Sequence, residues 1–245
     1  MKRALFHWIL AALILLAVPL LAAAAPLAAP LAAPDRASTS FSFSLSATTS
    51  SQKFTIPISS VGCLLAQVKS WSAATSGTTA ASKLTLSLAV SRRTAQTTNA
   101  ASSLVPLWTS VAFTSSDLAG LKSGTVTVTL PSRSGSARGT LWIEYPPAQT
   151  PCEFTAIPSR TRGRVDLSWR YTGSAFKGSF LVQRSNDGRT WSTISACTRS
   201  ASSSVYTCSD TGLTSKRSYY YRACASASST CGSTAVTPPL NVAVP

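Results

Sequence analysis

Apolar and polar residues alternate with a period of two in short runs along most of the chain. In the first half, such runs occupy residues 41–45, 54–58, 84–90, 126–130 and 141–145. Clusters of Ser, Thr and Gly separate them, a combination typical of antiparallel β-strands joined by turns. Pro57 lacks an N–H group, which places its run at a sheet edge or at a strand end. One helical turn is predicted at residues 115–121.

The same pattern continues through residues 164–237, where short alternating runs are again separated by turn residues. Leu167 and Trp169 share one face of a strand because side chains alternate along it. Asn186-Asp187-Gly188 is a turn signal, since Gly188 can adopt a positive φ. These runs predict a second small antiparallel β-sandwich.

The order and spacing of these runs resemble the fibronectin type III domain. In that family the residue matching Trp169 fills the core between the sheets. Leu213 stands six residues before Tyr219, the family's spacing for a tyrosine corner, in which the Tyr hydroxyl bonds back to the backbone. The resemblance implies a domain that presents a binding surface and does not carry out chemistry.

The first half is similar to the pre-peptidase C-terminal β-sandwich domain in its order of elements. The matching pieces are residues 54–58, 66–72, 84–88, 114–119 and 139–146. Members of that family usually occur as appendages of secreted hydrolases, which makes an accessory role one expectation for this chain.

The N-terminus has the pattern of a secretory signal peptide. Lys2 and Arg3 precede an apolar stretch at residues 8–21, and Ala22-Ala23-Ala24 offers a cleavage site. The alternative is an uncleaved membrane anchor, since residues 4–25 are long enough to span a bilayer. Residues 25–37 are rich in Pro and Ala and predict an extended spacer.

We therefore predict an all-β protein with two β-sandwich domains in tandem after a signal peptide. The predicted segments are a signal peptide at 1–24, a spacer at 25–37, a first sandwich at 38–147, a linker at 148–154, and a fibronectin type III-like domain at 155–240.

Six cysteines, an even number, predict disulfides in an exported chain, with free buried thiols as the alternative. Within the fibronectin-like stretch, strand parity places Cys224 on the outward face with Tyr220 and Arg222, and a neighbouring strand returns at Cys231. The resulting prediction is three pairs: Cys197–Cys208, Cys224–Cys231 and, by elimination, Cys63–Cys152.

Catalytic arrangements are missing from the sequence that follows the predicted cleavage site. His7 is the single histidine and leaves with the signal peptide, so triads and His-based zinc sites lack an imidazole. Paired carboxylates are not indicated either, because the acidic residues are spread thinly and most lie at predicted turns or strand ends. We expect no enzymatic activity, no cofactor and no metal.

Positive charge is the main functional signal. The chain carries 22 Lys and Arg against 7 Asp and Glu, a formal net charge of +15, and about +13 remains after Lys2 and Arg3 are removed. Clustered arginines suit phosphate, sulfate or carboxylate polymers, and the predicted anion-binding residues are Arg92, Arg93, Arg160, Arg162, Arg164 and Arg170. The alternative is a solvated basic surface that aids solubility and protects sheet edges.

Tryptophans give a weaker signal for sugar binding. Trp71, Trp108, Trp142 and Trp191 could stack on sugar rings, but we expect at least three of them to fill cores.

Together these features predict an exported, non-catalytic binding or scaffold protein, secreted or located in the periplasm or at the cell surface. Its expected partner is an acidic polysaccharide, a lipopolysaccharide or a protein, and membrane contact is expected only through an uncleaved signal peptide. The alternative is an accessory module, with sugar binding as its task, for a separate extracellular hydrolase.

Overall fold

The structure is a computed structural model that describes residues 38–58, 62–72, 83–100, 106–114, 123–131, 135–146, 149–173, 176–228, 230–232 and 235–245. All of them belong to one compact unit, Pro34–Pro245. The predicted signal peptide, the spacer at 25–37 and the helical turn at 115–121 lie outside the described residues.

The first part of the described chain folds into a β-sandwich. Its strands are β1 (Ser38–Leu45), β2 (Ser51–Pro57), β3 (Gly62–Ser72), β4 (Lys83–Val90), β5 (Arg93–Ala100), β6 (Leu107–Phe113), β7 (Ser123–Thr129) and β8 (Ala137–Glu144). One sheet has the order β1-β8-β3-β6 and the other β2-β7-β4-β5, with antiparallel pairing throughout.

The alternating runs form the core of this sandwich. Leu84, Leu86, Leu88 and Val90 of β4 are each fully buried, as the period of two requires. β2 lies at a sheet edge and ends at Pro57, as the missing N–H group predicts.

The second part folds into another antiparallel pair of sheets. Its strands are β9 (Cys152–Pro158), β10 (Val165–Arg170), β11 (Ser179–Ser185), β12 (Ser192–Thr193), β13 (Arg199–Ser200), β14 (Val205–Asp210), β15 (Ser218–Ser226) and β16 (Leu240–Ala243). One sheet has the order β14-β10-β9 and the other β12-β11-β15-β16, with β13 also pairing with β11. The all-β fold class is therefore confirmed. β9 begins at Cys152, so its first three residues lie within the predicted linker at 148–154.

Trp169 lies at the centre of the second core. It is 1% exposed, stacks on Tyr206 with ring centroids 5.4 Å apart, and meets the edge of Phe180 at 6.2 Å. Its position on β10 between two inward-facing partners makes it the main filler between the sheets.

The Tyr219 hydroxyl accepts a hydrogen bond from the Thr214 backbone N–H at 3.1 Å, which is the arrangement of a tyrosine corner. This bond lowers the pKa of Tyr219 because it favours the phenolate. Leu213 is buried beside it, so the crossover between β14 and β15 is anchored at two points.

All three predicted disulfides are present. The Cα atoms are 5.8 Å apart in Cys63–Cys152, 5.3 Å in Cys197–Cys208 and 5.8 Å in Cys224–Cys231. Such bridges indicate an oxidising environment. Within the described ranges, no helix has the length and apolar character needed to span a bilayer.

The environments of two of these cysteines add to the prediction. Cys197 ends a single 3₁₀ turn, Ser195–Cys197. Cys224 does lie opposite the core-facing residues of β15, but it is fully buried and not on an open face. The reason is that the returning chain covers it, with Val236 bridged to Cys224.

The turn between β11 and β12 is held by the carboxylate of Asp187. Its Oδ1 atom accepts hydrogen bonds from the backbone N–H groups of Arg189 and Thr190, both at 2.8 Å, and from the Ser185 hydroxyl at 2.7 Å. These donors hold the pKa of Asp187 well below its usual range, the two backbone bonds being the largest cause.

We expect Asp187→Asn to reduce the acid sensitivity of folding. A carboxyl with a lowered folded-state pKa stabilises the fold above its unfolded-state pKa of about 3.9 and loses that contribution as pH falls toward the folded-state value. Urea unfolding at several values between about pH 5 and pH 2 should therefore show a smaller decline in the free energy of unfolding for the variant. An identical decline in both proteins would contradict the assigned role of Asp187.

Candidate functional site

Two loops of the second sandwich bring five cations together. The backbone N–H of Leu213, in the β14–β15 loop, donates to the Gly163 carbonyl of the β9–β10 loop at 3.0 Å. Arg162 Nε donates to the Ser215 hydroxyl across the same junction at 2.9 Å. We call the resulting cluster the basic end; it consists of Arg160, Arg162, Arg164, Lys216 and Arg217.

The backbone of both loops explains this approach. Gly163 has φ +68°, and a Cβ there would lie 2.7 Å from the Leu213 carbonyl oxygen, so the close contact requires glycine. Lys216 also adopts a positive φ of 62°, and its N–H donates to the Val244 carbonyl at 2.8 Å. The loops are therefore fixed against each other and against the chain after β16.

The basic end is only slightly neutralised. Arg164 Nε lies 2.7 Å from Asp166 Oδ1, which also accepts from the Ser209 hydroxyl at 2.7 Å. Donation from Ser209, followed by that from Arg164, lowers the pKa of Asp166. The other four cations are exposed and have no carboxylate within 4.0 Å among the described residues; they are Arg160, Arg162, Lys216 and Arg217.

Arg93 and Arg170 do not belong to this cluster. Arg93 Nη1 lies 3.4 Å from Glu153 Oε1, and Arg170 Nε lies 2.8 Å from Glu153 Oε2. One carboxylate between the two sandwiches thus engages two of the six predicted arginines. Arg92 is exposed in the turn that connects β4 to β5.

Glu153 also holds the sandwiches together through its backbone N–H and through a further contact of its carboxylate. It has φ 50°, its N–H donates to the Ser110 hydroxyl at 2.8 Å, and its Oε1 accepts from the Ala112 N–H at 2.9 Å. Trp108 of β6 packs in the second core and donates from Nε1 to the Pro239 carbonyl at 3.0 Å. With the Cys63–Cys152 bridge next to it, this region is a structural junction.

A cleft of about 460 Å³ opens beside the junction, with walls from both sandwiches. In the first sandwich, Gln67 Nε2 donates to Glu144 Oε1 at 2.5 Å, and Lys69 Nζ lies 3.2 Å from the same oxygen. In the second, the Arg222 guanidinium lies 4.3 Å from the ring centroid of Trp191. These residues are far apart in the sequence, so no local pattern indicated that they meet.

The four tryptophans proposed for sugar stacking lie in different environments. Trp108 is buried at the junction, and Trp71 packs at the margin of the first core. Trp142 and Trp191 are half-buried, under Lys69 and Arg222 respectively. Only Trp108 and Trp191 line the cleft.

No protein-family model and no curated protein matches the chain. Among solved structures, a myokine structure matches 41% of this chain and 99% of its own length, at 16% identity and TM-score 0.31. The chicken CNTN1 FN1-FN3 domains match 66% of this chain at 9% identity and TM-score 0.30, and a β-1,2-glucanase from Parabacteroides distasonis matches 85% at 11% identity and TM-score 0.27. The chain covers 56% of the chicken fragment and 36% of the glucanase. At these TM-scores the likenesses carry no argument about function.

Proposed function

We propose that this chain is an exported, non-catalytic binding protein that attaches to an anionic polymer through the basic end. The observation that carries the proposal is the convergence of five cations from two loops, four of them without a carboxylate neighbour among the described residues. We further propose that the second sandwich is a fibronectin type III-like domain, on the basis of Trp169 and the Tyr219 corner.

A polymer suits this site better than a small anion. The four unneutralised side chains are exposed and surround no enclosed anion pocket among the described residues, so each would meet a different charged group. A polyanion that contacts several cations at once releases its condensed counterions, which favours binding. Acidic polysaccharides and lipopolysaccharides carry charge repeats of this kind.

Export is supported by the three disulfides and by the N-terminal sequence pattern. A non-catalytic role is supported by the use of the acidic residues. Glu144, Glu153, Asp166 and Asp210 each form an ion pair, and Asp187 holds a turn, so the acids of the described ranges have structural tasks.

Heparin tests the polymer site. We expect its affinity to fall steeply between about 50 and about 200 mM salt, as counterion release requires. In the fourfold alanine variant at Arg160, Arg162, Lys216 and Arg217, the affinity for heparin should be at least about tenfold lower. Its affinity should also depend less on salt.

A matched control removes the same charge elsewhere. Lys53, Lys83, Arg138 and Lys177 are all exposed, and alanine at these four positions lowers the net charge equally. This variant should keep most of the affinity. Equal losses in both variants would show that net charge and not the basic end governs binding, and absence of heparin binding by the parent protein would refute the proposal.

A second candidate function is that of an accessory carbohydrate-binding module. Its support is the cleft between the sandwiches, where the half-buried Trp191 lies among fixed polar groups.

A further inference from the structure

We propose that the cleft between the two sandwiches binds a short acidic sugar of one or two uronic acid residues. The carboxylate would bind to Arg222 and Lys69, and the ring would lie over the apolar wall. This inference deepens the second candidate function and does not depend on the basic end.

The size and walls of the cleft fit a small ligand. Its volume of about 460 Å³ lies within the range of about 300 to 1,000 Å³ that is usual for ligand pockets. The apolar part includes Trp108, Trp191 and the proline pair Pro238-Pro239, which are rigid side chains. A mixture of rigid apolar surface and a few oriented polar groups is the chemistry that accommodates the C–H face and the hydroxyls of a sugar.

The charges in the cleft favour a ligand that carries negative charge. Glu144 is 5% exposed and lies against Lys69, so its carboxylate is already neutralised. Arg222 is the second cation and has no carboxylate within 4.0 Å among the described residues, which leaves the cleft with a net charge of about +1. A uronic acid carboxylate supplies the complementary charge.

Arg222 is oriented to receive that carboxylate. Its Nε donates to Gln183 Oε1 at 2.9 Å while the guanidinium lies over Trp191, which fixes its plane. The two terminal nitrogens of Arg222 have no hydrogen-bond acceptor among the described residues. Their N–H groups are therefore available to form two parallel hydrogen bonds to one carboxylate. The Arg222 guanidinium is partly removed from solvent, and this burial lowers its pKa. A carboxylate partner would therefore stabilise its charge.

Thr150 supplies an independent indication of a ligand. Thr150 lines the cleft and is only 6% exposed. Its hydroxyl has no hydrogen-bond partner among the described residues. A buried hydroxyl without a partner destabilises the fold, and a sugar hydroxyl in the cleft would provide the missing bond. Gln67 adds an amide oxygen as an acceptor, because only its Nε2 is used by Glu144.

Calorimetric titration of the full chain with digalacturonic acid tests the site. We expect saturable binding that Arg222→Gln, Trp191→Ala and Lys69→Gln each weaken about tenfold or more. Arg160→Gln, a control in the basic end, should bind the sugar as the parent does. Chemical shifts of the tryptophan indole N–H groups in the parent protein should move for Trp108 or Trp191, a readout that does not depend on variant folding.

Three results would overturn the proposal: no saturable binding, equal affinity for the neutral disaccharide cellobiose, or equal affinity for a triglutamate peptide. The fourfold alanine variant of the basic end separates the two sites. If this variant still binds digalacturonic acid but has lost heparin binding, both proposals are supported. If the parent protein fails to bind one of the two ligands, the proposal tested by the other ligand is unaffected.

Discussion

Replacing Cys63 and Cys152 together by serine is expected to lower the free energy of unfolding by about 4 to 5 kcal/mol. The bridge joins residues 89 apart in the sequence, so it removes more conformational freedom from the unfolded chain than a short loop would. It also connects β3 of the first sandwich to β9 of the second, next to the Glu153 contacts. Urea unfolding followed by tryptophan fluorescence measures this loss.

The short bridge Cys224–Cys231 is the matched control. Its cysteines are 7 residues apart, and the same entropy argument gives a loss of about 2.5 kcal/mol for the double serine variant. The first double variant should therefore unfold at clearly lower urea concentration than the second. The reverse order would show that strain or residual structure, and not loop closure, governs the effect of these bridges.

Trp169→Ala is expected to lower the free energy of unfolding by about 3 to 5 kcal/mol, because it leaves a large cavity between the two sheets of the second sandwich. Trp169 is 1% exposed, and the substitution removes the contacts of its ring with Tyr206 and Phe180. Thermal and urea unfolding of the oxidised protein measure the change.

Trp169→Phe separates the effect of ring volume from that of the indole N–H. The Nε1 group of Trp169 has no hydrogen-bond acceptor among the described residues, so the variant removes a buried donor that costs stability. We therefore expect phenylalanine to cost clearly less than alanine, because it leaves a smaller cavity and no buried donor. A loss as large as that of alanine would indicate that the indole N–H has an important partner.

The parts of the fold that the sequence predicted are those in which burial on one face produces alternation. The run at 84–90 became β4 almost residue for residue. β5 escaped prediction because Arg93–Ala100 is polar apart from alanine, of which Ala95 packs against the first core. β6 lost its alternation for the opposite reason: all seven residues are buried, since the second sandwich covers the outer side of the strand.

The candidate site was only partly visible in the sequence. Arg160, Arg162 and Arg164 are close in sequence, but Lys216 and Arg217 join them through a contact between two loops about fifty residues apart. The engagement of Arg93 and Arg170 by Glu153 depends on a left-handed backbone conformation and on the packing of two sandwiches. Neither leaves a periodic signal in the sequence.

The distribution of the cysteines also bears on how the native bridges form as the chain is made. A nascent chain emerges from its N-terminus, so no second cysteine of this sequence accompanies Cys63 until Cys152 follows it. At that moment no other cysteine of this sequence has emerged to compete, and the long-range bridge can close correctly. The later cysteines then close over 11 and 7 residues, distances at which the nearest partner is the native one. The order of emergence therefore favours native pairing without a search among scrambled isomers.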